Sequence, residues 1–186
     1  DAASISTTAR REGNEYVING TKRYITNAPE ASLFTVFART APKADGVKGI
    51  SALLVEGDIP GITIGPWDRK MGQRGAHTAD VTFTDCRVNA DALISGAEGV
   101  GFKTAMKVLD RGRIHIGAVC VAAAERLIDD SLRYAMERQQ FGQPIAEFQL
   151  IQAMLADSRA EAYAARCMVE ETARRRDSGL PVVTEA

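Results

Sequence analysis

Arg138-Gln139-Gln140-Phe141-Gly142-Gln143-Pro144-Ile145-Ala146-Glu147-Phe148-Gln149 is a polar corner set between two long stretches of helical periodicity. Upstream, Phe102, Ala105, Met106, Leu109, Ile116, Val119, Cys120, Ala123 and Leu127 recur at intervals that lay an apolar stripe along one helix face. The pattern predicts a helix from about Gly99 to about Arg138. Downstream, Phe148, Ile151, Leu155, Ala162, Ala165 and Val169 mark a second helix, beginning near Ala146 and stopped by Gly179 and Pro181. At 1.5 Å per residue each rod spans roughly 45 to 60 Å. An antiparallel pair covers only part of such apolar surface, so further helices or another subunit are expected to complete a four-helix bundle.

Before about Asp91 the period is different. Short apolar or alternating runs punctuated by turn residues read as β structure. Glu15-Tyr16-Val17-Ile18 and Lys22-Arg23-Tyr24-Ile25-Thr26 flank Asn19-Gly20, a pair suited to a tight hairpin turn. Further strands are expected at Leu33 to Arg39, Ile50 to Glu56, Gly61 to Gly65 and Asp80 to Thr84. Closely spaced strands without helices between them indicate an antiparallel sandwich or barrel, not a Rossmann sheet. The fold class is therefore α+β: residues 1–91 form a β domain, and residues 92–186 form long antiparallel helices. The junction is expected within Asp85 to Gly101, and Val183-Thr184-Glu185-Ala186 reads as the opening of another helix.

The 186 residues carry 45% apolar side chains and a formal charge of -1, so a core is affordable and no global field favours nucleic acid or an acidic membrane. Cys86, Cys120 and Cys167 lie far apart with only His77 and His115 beside them, so neither a metal site nor a disulfide framework is expected. No apolar run approaches the ~20 residues of a membrane span, and no signal peptide is visible, which together read as a soluble intracellular protein.

Three clusters are candidates for chemistry. At the end of the second hairpin strand, alternation points Tyr24 and Thr26 to one face and Ile25 to the other, giving a ring beside a hydroxyl for a flat conjugated cofactor. An ordinary core tyrosine next to a β-favouring threonine would look the same. In Leu109-Asp110-Arg111-Gly112-Arg113, Asp110 and Arg113 share a helix face and pair, which a solvated ion pair also explains. At the corner, the fork of Arg138 suits phosphate, although a helix-ending arginine, a loop plugged by Phe141 and a solvated Gln149 fit equally well. Arg174-Arg175-Arg176 complements a helix C-terminus.

Several of these runs together resemble the acyl-CoA dehydrogenase family. Arg138-x-x-Phe141-Gly142…Gln149 is similar to its Arg-x-x-Phe-Gly…Gln signature, whose arginine and glutamine reach the flavin adenine dinucleotide of a neighbouring subunit. Asn19-Gly20-x-Lys22-x-Tyr24-Ile25-Thr26-Asn27 resembles a strand in which an aromatic residue, usually tryptophan, backs the flavin and the threonine hydroxyl meets the ring nitrogen that receives hydride. Gly101-Phe102-Lys103 followed by Leu109 to Arg113 resembles a run that binds acyl-CoA, and Met71-Gly72-Gln73-Arg74-Gly75 a turn before the last long strand. Leu155-Ala156-Asp157 after Gln149-x-x-Gln152 also follows the pattern.

The resemblance implies FAD held by Tyr24, Ile25, Thr26, Arg138, Phe141 and Gln149. Acyl-CoA would meet Phe102, Asp110, Arg111, Gly112 and Arg113. It implies α,β-dehydrogenation to a trans-2-enoyl-CoA, electrons passed to an electron-transferring flavoprotein, a homotetramer, and a bacterial cytoplasm or mitochondrial matrix. Monooxygenase or oxidase chemistry on the same fold, and a non-catalytic scaffold, are the alternatives. Gly112 stands where some relatives carry the catalytic glutamate, so no catalytic residue is nominated. The chain reads as a fragment lacking the N-terminal helical domain, a preceding flavin-binding strand and later helices, and is expected to be inactive alone.

Overall fold

A computed structural model describes residues 1–186, which divide into two compact units, Asp1–Ala105 and Met106–Ala186. The first unit carries six strands: β1 (Thr8–Glu12), β2 (Glu15–Thr26), β3 (Leu33–Arg39), β4 (Ile50–Glu56), β5 (Ile62–Ile64) and β6 (Thr78–Asn89). They form one sheet in the order β4-β3-β1-β2-β6-β5. Of the sandwich or barrel expected, a barrel does not close, because β4 and β5 are terminal strands and no strand joins them. All pairings are antiparallel except β1 with β3, which is parallel at Thr8 and Arg39.

Alternation explains the strands that the sequence displays openly. Along β3, Phe34, Val36 and Ala38 are buried while Leu33 and Thr35 are exposed. Along β4, Leu53 and Val55 face the core and Leu54 and Glu56 face outward. β1 escapes a reading by pattern, since Thr8, Arg10 and Arg11 are exposed and Ala9 is its only fully buried residue.

Asn19-Gly20 is not the expected hairpin turn. β2 runs straight through it, and the chain reverses instead at Gly13-Asn14, where Glu12 pairs with Glu15 and Gly13 sits at φ +63°. Opposite Asn19 the β2–β6 register slips between Ile18/Cys86 and Gly20/Phe83, a bulge with the additional residue on β6. Asn19 stabilises the bulge with both ends of its amide: Nδ2 donates to Asp85 Oδ1 at 3.0 Å, and Oδ1 accepts the Asp85 N–H at 2.9 Å. Gly20, at φ +139°, is required because a Cβ would lie 2.8 Å from the Thr7 Cα. The residues that signal a turn here serve a bulge and a close backbone approach.

Tyr16 is fully buried and donates its hydroxyl to Glu98 Oε1 at 2.6 Å, which ties the sheet to the segment leading into the helices. Burial first, and then the Glu98 carboxylate, push its pKa up to about 12 from 10.0. A raised pKa gives stability that is complete below the ordinary value and is lost as pH rises through the folded one. Between pH 10 and about 12 stability should therefore fall by about 1.4 kcal/mol per pH unit from this group alone. In Tyr16→Phe that component disappears from the alkaline limb of a denaturation series, and an unchanged limb would show that Tyr16 ionises normally.

In the second unit, α1 (Gly101–Glu137) continues from the first, and α2 (Gln149–Asp177) returns antiparallel to it. Between them lies a short hairpin, β7 (Gln139–Gln140) and β8 (Gln143–Pro144). Gly117 permits close approach, since a Cβ there would lie 3.1 Å from a Val169 methyl. Glu125 binds Arg166, which also holds Glu170 at 3.0 Å; the Arg166 guanidinium keeps the Glu125 carboxyl below its usual range. Of the anticipated α1 stripe, Leu109, Ile116, Val119 and Leu127 stay exposed, whereas Val121 and Ala135 are buried. α2 ends as expected: Gly179 at φ +78° lets its own N–H and that of Leu180 return to the Arg176 and Arg175 carbonyls. The Val182 to Ala186 tail makes one turn in which the Ala186 N–H donates to the Val182 carbonyl at 2.9 Å. No helix is long and apolar enough to cross a membrane.

Candidate functional site

The end of β2 is shaped by a second bulge. Between Lys22/Val81 and Ile25/Ala79 the additional residue lies on β2, and Tyr24 takes it up at φ +57°. The left-handed backbone turns the tyrosine ring outward, 68% exposed, with the Arg23 guanidinium 5.0 Å from its centroid. Ile25 packs against the core, and Thr26 is exposed while its backbone pairs with Thr78. The ordinary core tyrosine is thereby excluded. Asn27, at φ +59°, ends the strand by donating its N–H to the His77 carbonyl at 2.6 Å.

On α1, Phe102 is half-buried in the first unit. Further along, Asp110 and Arg113 pair at 3.4 Å, as their spacing predicts, with Arg111 exposed beside them. A Cβ at Gly112 would meet nothing within 4 Å, so crowding does not explain the absence of a side chain there.

At the corner, Phe141 at φ +52° and Gly142 at φ +84° form the two-residue turn between β7 and β8. The Phe141 ring is 94% exposed and meets Phe148 edge-on, centroids 6.1 Å apart. Arg138 is exposed and free of carboxylates, unlike Arg126 and Arg133 on the same helix, which both hold Asp130. Gln149 is the first residue of α2 and lines a concavity with Gln140, Phe141, Ile145 and Phe148. Arg138, Phe141 and Gln149 are thus gathered at one end of the helical pair, and Tyr24, Ile25 and Thr26 at one end of a strand.

An aromatic side chain at positive φ costs roughly 1–2 kcal/mol and is sustained only by its surroundings. Six non-glycine residues adopt such a backbone, and the two aromatic ones, Tyr24 and Phe141, both hold an exposed ring. Taken unit by unit, the outward Thr26 hydroxyl is a donor suited to a ring heteroatom, and the exposed Arg138 guanidinium, free of carboxylates, is suited to a phosphate, which is the chemistry a flavin dinucleotide presents.

The sequence offered no sign of other close pairings. Trp67 stacks on His77 with centroids 3.8 Å apart, and His77 Nδ1 contacts Glu30. Half-buried Lys22 donates to the Phe37 carbonyl at 2.6 Å, and burial lowers its pKa. Arg39 donates to the carbonyls of Ile5 at 2.8 Å, Gly46 at 3.0 Å and Ala3 at 2.7 Å. Each pairing joins separate loops or strands, which periodicity does not register.

Comparison with known proteins locates the chain. Residues 1–86 match the middle-domain model of acyl-CoA dehydrogenases, and residues 99–186 match the C-terminal-domain model. The chain is 46% identical over its full length to acryloyl-CoA reductase (NADH) of Anaerotignum propionicum, covering 47% of that protein. It is 44% identical over its full length to the human mitochondrial short-chain specific acyl-CoA dehydrogenase, covering 45%. The butyryl-CoA dehydrogenase structure from Megasphaera elsdenii superposes on the whole chain with a TM-score of 0.94 at 37% identity, over 48% of its own length. The chain thus spans about half the length of the curated relatives it matches.

Proposed function

This chain belongs to the acyl-CoA dehydrogenase family, and from that premise we propose that the intact protein dehydrogenates a short acyl-CoA thioester to the trans-2-enoyl-CoA with FAD as cofactor. An electron-transferring flavoprotein is the proposed acceptor and a homotetramer the proposed assembly. The observation that supports the reading is the pair of exposed aromatic rings held at positive φ, Tyr24 and Phe141. The names of the short-chain and butyryl-CoA relatives support a short acyl chain.

When bound, FAD supplies the acceptor for the β-hydrogen of the thioester. The chain's own residues do the rest. Thr26 would offer its hydroxyl to the edge of the ring where charge arrives, on a strand end held by the β2–β6 pairing. Tyr24 forms a wall, and Ile25, anchored in the core, keeps the strand end from moving. Arg138 would hold phosphate, with Phe141 on the adenine side and Gln149 beside it, all three serving a neighbouring subunit. Phe102 lines the route of the pantetheine, and Asp110, Arg111 and Arg113 stand near the thioester, with open space at Gly112. No carboxylate among residues 1–186 is assigned the proton abstraction, and position 112 on α1 carries only a glycine.

A second reading runs the same site in reverse, as an enoyl-CoA reductase, and the 46% identity to the acryloyl-CoA reductase favours it. One experiment serves both. Purified intact protein is expected to be yellow, with stoichiometric FAD, and butyryl-CoA should bleach the band. NADH consumption with acryloyl-CoA would select the reductase, and peroxide formation an oxidase. A colourless preparation, or a flavin unmoved by any acyl-CoA, would sink the proposal.

A further inference from the structure

A pair of hydroxyls, one buried and one half-buried, lies between the sheet and the first turn of α1. Ser51 on β4 is 0% exposed. Its Oγ lies 2.6 Å from Thr40 Oγ1, one residue past β3, and accepts the Gly99 N–H at 2.9 Å. Two glycines make this approach feasible. Gly99, at φ +79°, leaves no room for a Cβ beside the Lys48 carbonyl oxygen, and a Cβ on buried Gly101 would lie 2.5 Å from the Ser51 carbonyl carbon and 2.7 Å from the Ala52 nitrogen. The Lys43 to Gly49 loop that passes Gly99 is itself held, since Arg39 reaches the Gly46 carbonyl at 3.0 Å and Thr40 N–H the Gly49 carbonyl at 3.0 Å.

This seat matters because α1 begins without a conventional cap. Val100 precedes the first helical residue, where Ser, Thr, Asp or Asn normally accepts an orphan N–H. Gly96, Gly99 and Gly101 together leave the approach to the helix with unusual backbone freedom. The only side-chain bond to the Gly99 N–H comes from Ser51 across the interface. Phe102 follows the glycine seat directly, so a shift at Gly99 and Gly101 moves its ring.

We propose that Ser51 and Thr40 are positioning residues for the acyl-CoA subsite: through the Gly99 N–H they fix the start of α1 and hence the placement of Phe102. The inference rests on the reading of Phe102 as a wall of that subsite. In the intact, flavin-loaded protein, Ser51→Ala and the isosteric Thr40→Val are expected to raise KM for butyryl-CoA about two- to tenfold, the range of one neutral hydrogen bond. Turnover number should stay within about twofold, since the interaction is made equally in ground and transition states. Flavin content should be unchanged, Thr40→Ser should behave as the parent, and amide exchange in a peptide covering residues 97–104 should accelerate in both hydroxyl-free variants.

If Ser51→Ala does not fold, Thr40→Val carries the same expectations. Unchanged KM with only a lowered melting temperature, or unchanged exchange at Gly99, overturns the inference while leaving the functional reading intact. A parent protein that binds no acyl-CoA overturns both.

Discussion

Exchanging Thr26 for valine in the intact, flavin-loaded protein lowers turnover about ten- to a hundredfold, whereas Thr26→Ser stays within about threefold of the parent. Valine keeps the shape and the β preference of threonine, so the backbone pairing of residue 26 with Thr78 persists. What is lost is one exposed donor on a rigid strand end. A donor aimed at developing charge contributes more to the transition state than to the resting complex, so the loss appears in turnover and only weakly in substrate KM. Flavin content must be measured alongside, because weaker cofactor retention would also lower apparent activity. A fully loaded Thr26→Val protein that turns over like the parent removes Thr26 from the chemistry.

The second large effect concerns stability. Leu53→Ala should lower the unfolding free energy by about 2–5 kcal/mol, the cost of a cavity left where a leucine was completely enclosed. Leu53 is 0% exposed within the core cluster of the sheet, while its neighbour Leu54 is 43% exposed on the opposite face. Leu54→Ala should therefore cost less than about 1 kcal/mol. Against a typical total stability of about 5–15 kcal/mol, only the first change removes a large share. Urea denaturation of the two variants checks it, and equal losses would mean that β4 does not sit in the register described.

The legibility of the chain differs from one element to the next. β3 and β4 are readable as strands because each is a short run of mostly apolar and β-favouring residues bounded by turn residues, although Ser51 is buried and Leu33 and Leu54 are exposed. Pattern alone predicts β6 only over Asp80 to Thr84, yet it runs from Thr78 to Asn89, since the outward Asp85 and Arg87 interrupt the apolar run without ending the strand. β1 is hidden because a strand sandwiched between two others needs only small Ala9 inside. Asn19-Gly20 misleads for a definite reason: the properties that suit a hairpin turn equally suit a bulge, and the choice lies with Asp85 and Thr7, which are distant in sequence.

The candidate site divides the same way. The pairing of Asp110 with Arg113, the two long helices and their glycine-ended corner are local, and i to i+3 spacing or 3.6-residue periodicity is sufficient to read them. That Tyr24 is turned outward is not local. A bulge opposite Val81 and Ala79 puts its backbone at positive φ, and pairing between strands decides that. The seating of α1 on Ser51 likewise joins residues 48 apart. Periodicity and motif in the linear chain thus determined the class of fold, the helices and the membership of a family. Tertiary structure alone decided the open sheet, the bulges and which side chains stand free, because hydrogen-bond register and close packing are agreements between distant segments that neither segment carries by itself.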